Sequence, residues 1–217
     1  MLQFYSGRLG VVYPWHKYAQ IVVRDYVSGA MENTSATLHG DFVQKNSREL
    51  LDNSNDGIVA HEMFHQWFGD LVTCESWSHV ALNEGFASDG EQLWLEHKKG
   101  TDAKLKKCQQ TIERYINYVK DHDDAPIINY NYRDPDDMFN ALTYQKASRV
   151  LHLLRTELGD DAFFLALKNY LNPHAYGNAE IDDLRKEFEM VSGRDLRPFF
   201  QQWFMQGGHP VIEIRYD

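Results

Sequence analysis

His61-Glu62-Met63-Phe64-His65 leaves its surroundings little choice of local structure. Residues four apart share one helical face, a turn apart, so two imidazoles at this spacing converge on one point only if the segment is a helix. Glu62 then sits roughly 100° around that helix from His61. It can reach a water in an open coordination position without being a ligand itself. His-Glu-x-x-His on a helix is a zinc-site signature. Downstream, Asn83-Glu84 supplies a carboxylate as a third ligand. Three N/O ligands leave one position for water, the arrangement of a catalytic rather than a structural zinc site. Ile58, Val59, Met63, Phe64, Trp67 and Phe68 make the helix apolar, and Gly69 reads as its stop. Two histidines and a glutamate are costly to bury there without a role.

The rest of the chain narrows the function classes. Its 217 residues make one large domain or two small ones. With 43% apolar residues it reads as globular. A net charge of −10 without a long basic patch argues against nucleic acid as a partner. Lys98, Lys99, Lys104, Lys106 and Lys107 read as a solvated face. Cys74 and Cys108 make no disulfide framework and read as free, partly buried thiols. No run approaches the roughly 18 apolar residues of a membrane span. The first residues lack the basic head and apolar stretch of a secretory signal.

Along the chain, residues 1–45 read as strands and turns, with Val11-Val12-Tyr13 and Ile21-Val22-Val23 as β-rich runs. Asn53-Ser54-Asn55-Asp56 reads as the loop capping the metal helix. Helices follow: Glu84 to Lys99, one capped by Asp102, one carrying Ala147 to Leu158, one from Asp160 to Leu171, one ending at Gly193, and one starting near Asp195. Residues 121–137 read as a long loop, which is more often functional than idle. Val211-Ile212-Glu213-Ile214 reads as a closing strand. Strands first and helices after is an α+β order. A sheet edge beside the metal helix is a natural place for a peptide to lie as an added strand.

Three motifs carry a strong resemblance to the aminopeptidase N / leukotriene hydrolase family of gluzincin zinc metallopeptidases. They are the set His61, His65, Glu84 with Glu62; Gly29-Ala30-Met31-Glu32-Asn33; and Tyr144-Gln145-Lys146. The similarity extends to Trp67-Phe68-Gly69-Asp70, Leu82-Asn83-Glu84-Gly85-Phe86-Ala87 and Gly208-His209-Pro210. The resemblance implies a thermolysin-like α+β catalytic domain with one Zn2+ per chain. It implies substrates that are peptides with a free N-terminus, cleaved after the first residue. It assigns Glu62 as general base, Tyr144 as donor to the oxyanion, and the Gly29–Asn33 segment as substrate-binding, with Glu32 on the α-ammonium. Glu91, two helical turns after Glu84, is the candidate acceptor behind a ligating histidine, a partner such ligands usually need.

The chain departs from the pattern in two places. Ala147 stands where the family has glycine after Tyr-x-Lys. Phe139 stands where leukotriene hydrolases carry a second tyrosine, so the resemblance does not extend to epoxide hydrolysis. On that resemblance, the 217 residues are expected not to include the family's preceding β-rich domain, opening strands and helical C-terminal domain. The expected organisation is therefore a partial catalytic domain of a longer parent chain: strand-rich 1–45, zinc-binding and helical 46–207, closing strand 208–217. Two other readings are a thermolysin-like endopeptidase, which the Glu32 motif opposes, and a zinc-binding unit weakly active without its flanking domains.

Overall fold

The metal-motif helix α3 (Asp56–Phe64) packs along the longer α4 (Ala81–Lys99), and the other elements are arranged around this pair in the computed structural model, which describes residues 1–52 and 54–216. The two helices approach closely because Gly90 has no side chain. A Cβ there would stand 2.6 Å from the Phe64 ring. Phe64, Phe68 and Phe86 stack in sequence across the seam, with ring centroids 5.1 Å and 4.1 Å apart. Each is almost fully buried, and burying a side chain of this size contributes about 1.5–3 kcal/mol. This aromatic seam is what holds Glu84 at a fixed distance from the histidines.

Three strands form the sheet beside α3: β1 (Ala19–Val23), β2 (Ala30–Met31) and β3 (Ala36–Gly40), in the order β1-β3-β2. β1 runs parallel to β3, from Ala19 opposite Ala36 to Val23 opposite Gly40. β2 pairs antiparallel with β3 through Ala30–His39 and Met31–Leu38 and forms one edge. A second, two-stranded parallel sheet joins β4 (Val72–Cys74) to β5 (Gly177–Ala179). The remaining helices are α1 (Leu2–Leu9), α2 (Glu49–Asp52), α5 (Thr101–Asp121), α6 (Ala147–Leu158), α7 (Asp160–Leu171), α8 (Ile181–Ser192) and α9 (Arg197–Trp203). Of these, α5 to α9 follow the expected periodicities within a few residues. The α+β class is therefore as expected. No helix among the described residues is long and apolar enough to cross a membrane.

Four expectations need correction. The chain opens with helix α1, not a strand. Packing selects it: Tyr5 and Leu9 are buried on one face, and the Tyr5 hydroxyl donates to the Gly90 carbonyl at 2.9 Å. Val11-Val12-Tyr13 is not a strand either; the Val11 carbonyl accepts from the Trp67 indole N–H at 3.1 Å. The closing strand at 211–214 is absent, and Val211, Ile212 and Ile214 lie exposed. Lys104 and Lys107 do not belong to a solvated face. Lys104 is buried against Glu96, and Lys107 reaches Glu91 at 3.0 Å. The capping loop before α3 is as expected for Ser54 to Asp56, although the Asn55 side chain makes no cap bond; Asn53 lies outside the described residues. Cys74 and Cys108 are free and buried.

Candidate active site

His61 in α3 and His65, the residue that caps its C-terminal end, lie on one face, their rings 4.8 Å apart. Glu84, in the first turn of α4, faces both. Its Oε2 lies 3.1 Å from His61 Nε2 and 3.3 Å from His65 Nε2. One ligand atom from each of the three falls within 4.8 Å of the others. Both imidazoles are fixed from behind through Nδ1. For His61 the partner is Glu91 Oε1 at 3.1 Å; for His65 it is the Phe68 carbonyl at 2.9 Å. Each ring thus turns Nε2 toward the shared centre.

The electrostatics of this cluster favour a positive charge. Burial works against protonating His61, yet hydrogen bonds and charges from Glu84 and Glu91 hold its pKa up at about 10. Burial likewise opposes protonation of His65, and Glu84 overcomes it to give about 9. Burial would raise the Glu84 carboxyl, but His65 and His61 keep it far below the usual carboxylate range. A divalent cation competes with protons for the same lone pairs. Two imidazole nitrogens and a carboxylate oxygen are a donor set suited to zinc. The residues present therefore fit the metal.

Glu62 lies on the same helix but outside this triad. Burial pushes its carboxyl up to about 7, against the pull of His61 and His65. Its carboxylate shares a second cluster with Glu32 and His65. Tyr144 comes from a π-helical turn, Leu142–Lys146, that precedes α6. Its ring stacks 6.0 Å from that of His61. Burial raises its hydroxyl pKa, and the charge of Glu84 and a hydrogen bond to it raise it further.

These side chains line one cavity of about 870 Å³, with Ala30, Met31, Glu32, Trp77 and Phe139 on its walls. Of the five-residue 29–33 motif, Ala30, Met31 and Glu32 reach the cavity. Gly29 and Asn33 hold the hairpin together instead: their carbonyls accept from Gly40 N at 3.0 Å and Ala36 N at 2.8 Å. Phe139 packs on Trp77, ring centroids 5.6 Å apart, at the cavity wall.

Ala147 is fully buried, and its methyl faces Gly85. A Cβ at Gly85 would come within 2.7 Å of it. The extra methyl is accommodated because the opposing position has no side chain.

Sequence reasoning did not single out Gln66. It follows His65 and is completely buried. Its Nε2 donates to the Glu32 carbonyl at 2.9 Å, and its Oε1 accepts from Ser35 N at 2.7 Å. One side chain thus ties Glu32, just past the end of β2, to the segment bearing the histidines. The available signal was a long polar side chain inside an otherwise apolar run.

A buried His-Glu-x-x-His helix with a glutamate from the following helix, set in a cleft beside a short sheet, defines a thermolysin-like metallopeptidase centre. More narrowly, residues 1–203 match the peptidase family M1 domain, and the chain belongs to that family. It is 32% identical over 229 residues to aminopeptidase M1-C of Oryza sativa subsp. japonica, covering 99% of this chain and 25% of the relative. It is 32% identical over 225 residues to aminopeptidase N of Lactobacillus delbrueckii subsp. lactis, covering 97% and 26%. Among solved structures it shares the fold of yeast LTA4 hydrolase, with a TM-score of 0.85 at 24% identity over 98% of this chain and 35% of that one. It also shares the fold of the M1 zinc metallopeptidase of Deinococcus radiodurans, with a TM-score of 0.77 at 23% identity over 97% and 43%. The chain spans about a quarter of the length of the curated relatives it matches.

Proposed function

We propose that this chain is the catalytic part of a zinc-dependent aminopeptidase within a longer parent chain, releasing the N-terminal residue of peptides. One observation carries the reading: His61, His65 and Glu84 converge on one point of a cavity that also holds Glu62 and Glu32. His61, His65 and Glu84 hold one zinc ion per chain. Bound there, zinc polarises a carbonyl and makes water more acidic.

The chain's own residues supply the remaining chemistry. The peptide lies along the β2 edge as an added strand. Glu32, at the end of that strand, takes the α-ammonium and sets which amide bond is cut. Glu62 takes a proton from the attacking water and hands it to the departing amine. A carboxyl raised toward 7 suits both halves of that transfer. The Tyr144 hydroxyl donates to the carbonyl oxygen as that oxygen gains negative charge. Such a bond strengthens along the reaction and lowers the barrier. Glu91 holds the His61 ring in orientation through Nδ1.

The test compares cleavage of aminoacyl anilides with free and with N-acetylated termini, with zinc content measured on the same sample. Zinc bound and a strong preference for the free amine are expected. Equal cleavage of both would remove the exopeptidase reading, and stoichiometric zinc without turnover in the full-length protein would reduce the chain to a metal-binding unit.

A further inference from the structure

The turn that carries Tyr144 is not α-helical. The N–H groups of Lys146 and Ala147 bond five residues back, to the Ala141 carbonyl at 2.9 Å and to the Leu142 carbonyl. Such π turns are rare and hold one more residue than the α-helix would. Without outside ties, the segment gains by relaxing to the commoner register. A one-residue change of register swings a side chain by about 100°. Tyr144 would then leave the cavity.

The N-terminal ties are local. Leu142 N donates to Asn140 Oδ1 at 2.8 Å, and Thr143 Oγ1 donates to the Met138 carbonyl at 2.6 Å. The C-terminal tie is Lys146, whose side chain is only 4% exposed. Its ammonium donates to Asp124 Oδ1 at 2.9 Å and lies 5.2 Å from the centre of the Tyr115 ring. Asp124 is itself secured. Its Oδ2 accepts from the Tyr115 hydroxyl at 2.7 Å and lies 3.1 Å from His209 Nδ1. Its carbonyl faces Gly207, where a Cβ would come within 2.0 Å. α5, the 122–128 loop, the closing segment and the π turn therefore meet at one carboxylate. None of these four side chains lines the cavity.

We propose that Lys146, anchored by Asp124 with Tyr115 and His209, is a positioning residue that locks the π turn and so aims the Tyr144 hydroxyl at the reacting carbonyl. This rests on the oxyanion role given to Tyr144 above. Removing the ammonium leaves Asp124 two of its three donors, so the clamp weakens without exposing an unpaired buried acid. Tyr144 keeps its hydroxyl but loses its aim.

The experiment is a double-mutant cycle in the full-length protein, with Lys146→Met and Tyr144→Phe measured singly and together on an aminoacyl anilide. Zinc content and circular dichroism are followed throughout. Lys146→Met is expected to lower kcat by about tenfold or more, since small misplacements of a catalytic group are costly. KM and zinc content should stay near wild type. In the Tyr144→Phe background the same substitution should have no further effect on kcat. Fully additive losses would overturn the proposal, because Lys146 would then act independently of Tyr144. If Tyr144→Phe alone leaves kcat unchanged, the oxyanion reading fails, and the proposal with it; that outcome is visible before the cycle is closed. Should Lys146→Met not fold, Asp124→Asn takes its place with the same two outcomes.

Discussion

Gln66→Ala should damage recognition of the substrate amine although Gln66 itself lies outside the cavity lining. The side chain makes two hydrogen bonds, to the Glu32 carbonyl at 2.9 Å and from Ser35 N at 2.7 Å. Each contributes about 0.5–1.5 kcal/mol net, so the pair contributes about 1–3 kcal/mol. Glu32 and Ser35 are only partly buried, so water replaces part of that loss. About 1.4 kcal/mol corresponds to a tenfold change in an equilibrium. If the strand's restraint is what holds Glu32 in place, preference for a free over an acetylated N-terminus should fall by about tenfold. Glu32→Ala sets the ceiling for this loss, because it removes the carboxylate itself. The assay is kcat/KM on matched free and acetylated aminoacyl anilides, alongside thermal unfolding. A variant that unfolds earlier yet keeps the full wild-type preference would refute the reasoning, because Gln66 would then support only the core.

Three further outcomes are expected. Glu62→Gln should retain zinc and lose most of its turnover, about 10²-fold or more, whereas Glu84→Ala should lose zinc affinity; kinetics and metal analysis on the same samples decide, and the reverse pattern would exchange the two roles. Gly85→Ala should destabilise by about 1–3 kcal/mol through overpacking, because its methyl would meet Ala147 at 2.7 Å; Ala147→Gly should restore most of the loss, as denaturant unfolding of the double variant would show. His152 is held neutral by burial and by the charges of Lys104, Arg149 and Arg155, which lower its pKa from 6.5 to about 4. The unfolded chain binds that proton first, so stability falls as pH drops from 6.5 toward 4; His152→Leu should flatten the dependence of the unfolding midpoint across that window, and an unchanged slope would dismiss His152 as its source.

The convergence of His61, His65 and Glu84 was legible because the chemistry proposed for it dictates its spacing. A histidine pair four apart needs a helix, and the sequence around His61 is helical for independent reasons. Glu91 was legible for the same reason, since two helical turns return to one face. The opening helix was not. Leu2 to Leu9 has good helix formers only at its ends, Leu2, Gln3, Arg8 and Leu9, around two aromatics, a serine and a glycine, so propensity over so short a run does not select a helix. It forms because α1 packs against α7 and Tyr5 reaches the Gly90 carbonyl of α4, contacts that no local pattern reports. The run Val211 to Ile214 failed in the opposite way. Its β-branched alternation suits a strand, yet no partner strand lies beside it among the described residues. The π turn was invisible because an inserted residue changes hydrogen-bond register without changing composition. Gln66 was hidden because its partners are backbone groups, which have no letter in the sequence.

The two imidazoles are backed by different kinds of acceptor. Behind His61 stands a side-chain carboxylate, Glu91, which Lys107 also reaches; behind His65 stands a main-chain carbonyl, that of Phe68. Substitution can remove a carboxylate, shorten it, or change the cation that shares it. It cannot edit a carbonyl without rebuilding the turn. The support behind the pair is therefore adjustable by substitution from one side only. Directed changes to the groups behind the two rings have one soft side, at Glu91 and Lys107, while the acceptor behind His65 is fixed by the path of the backbone.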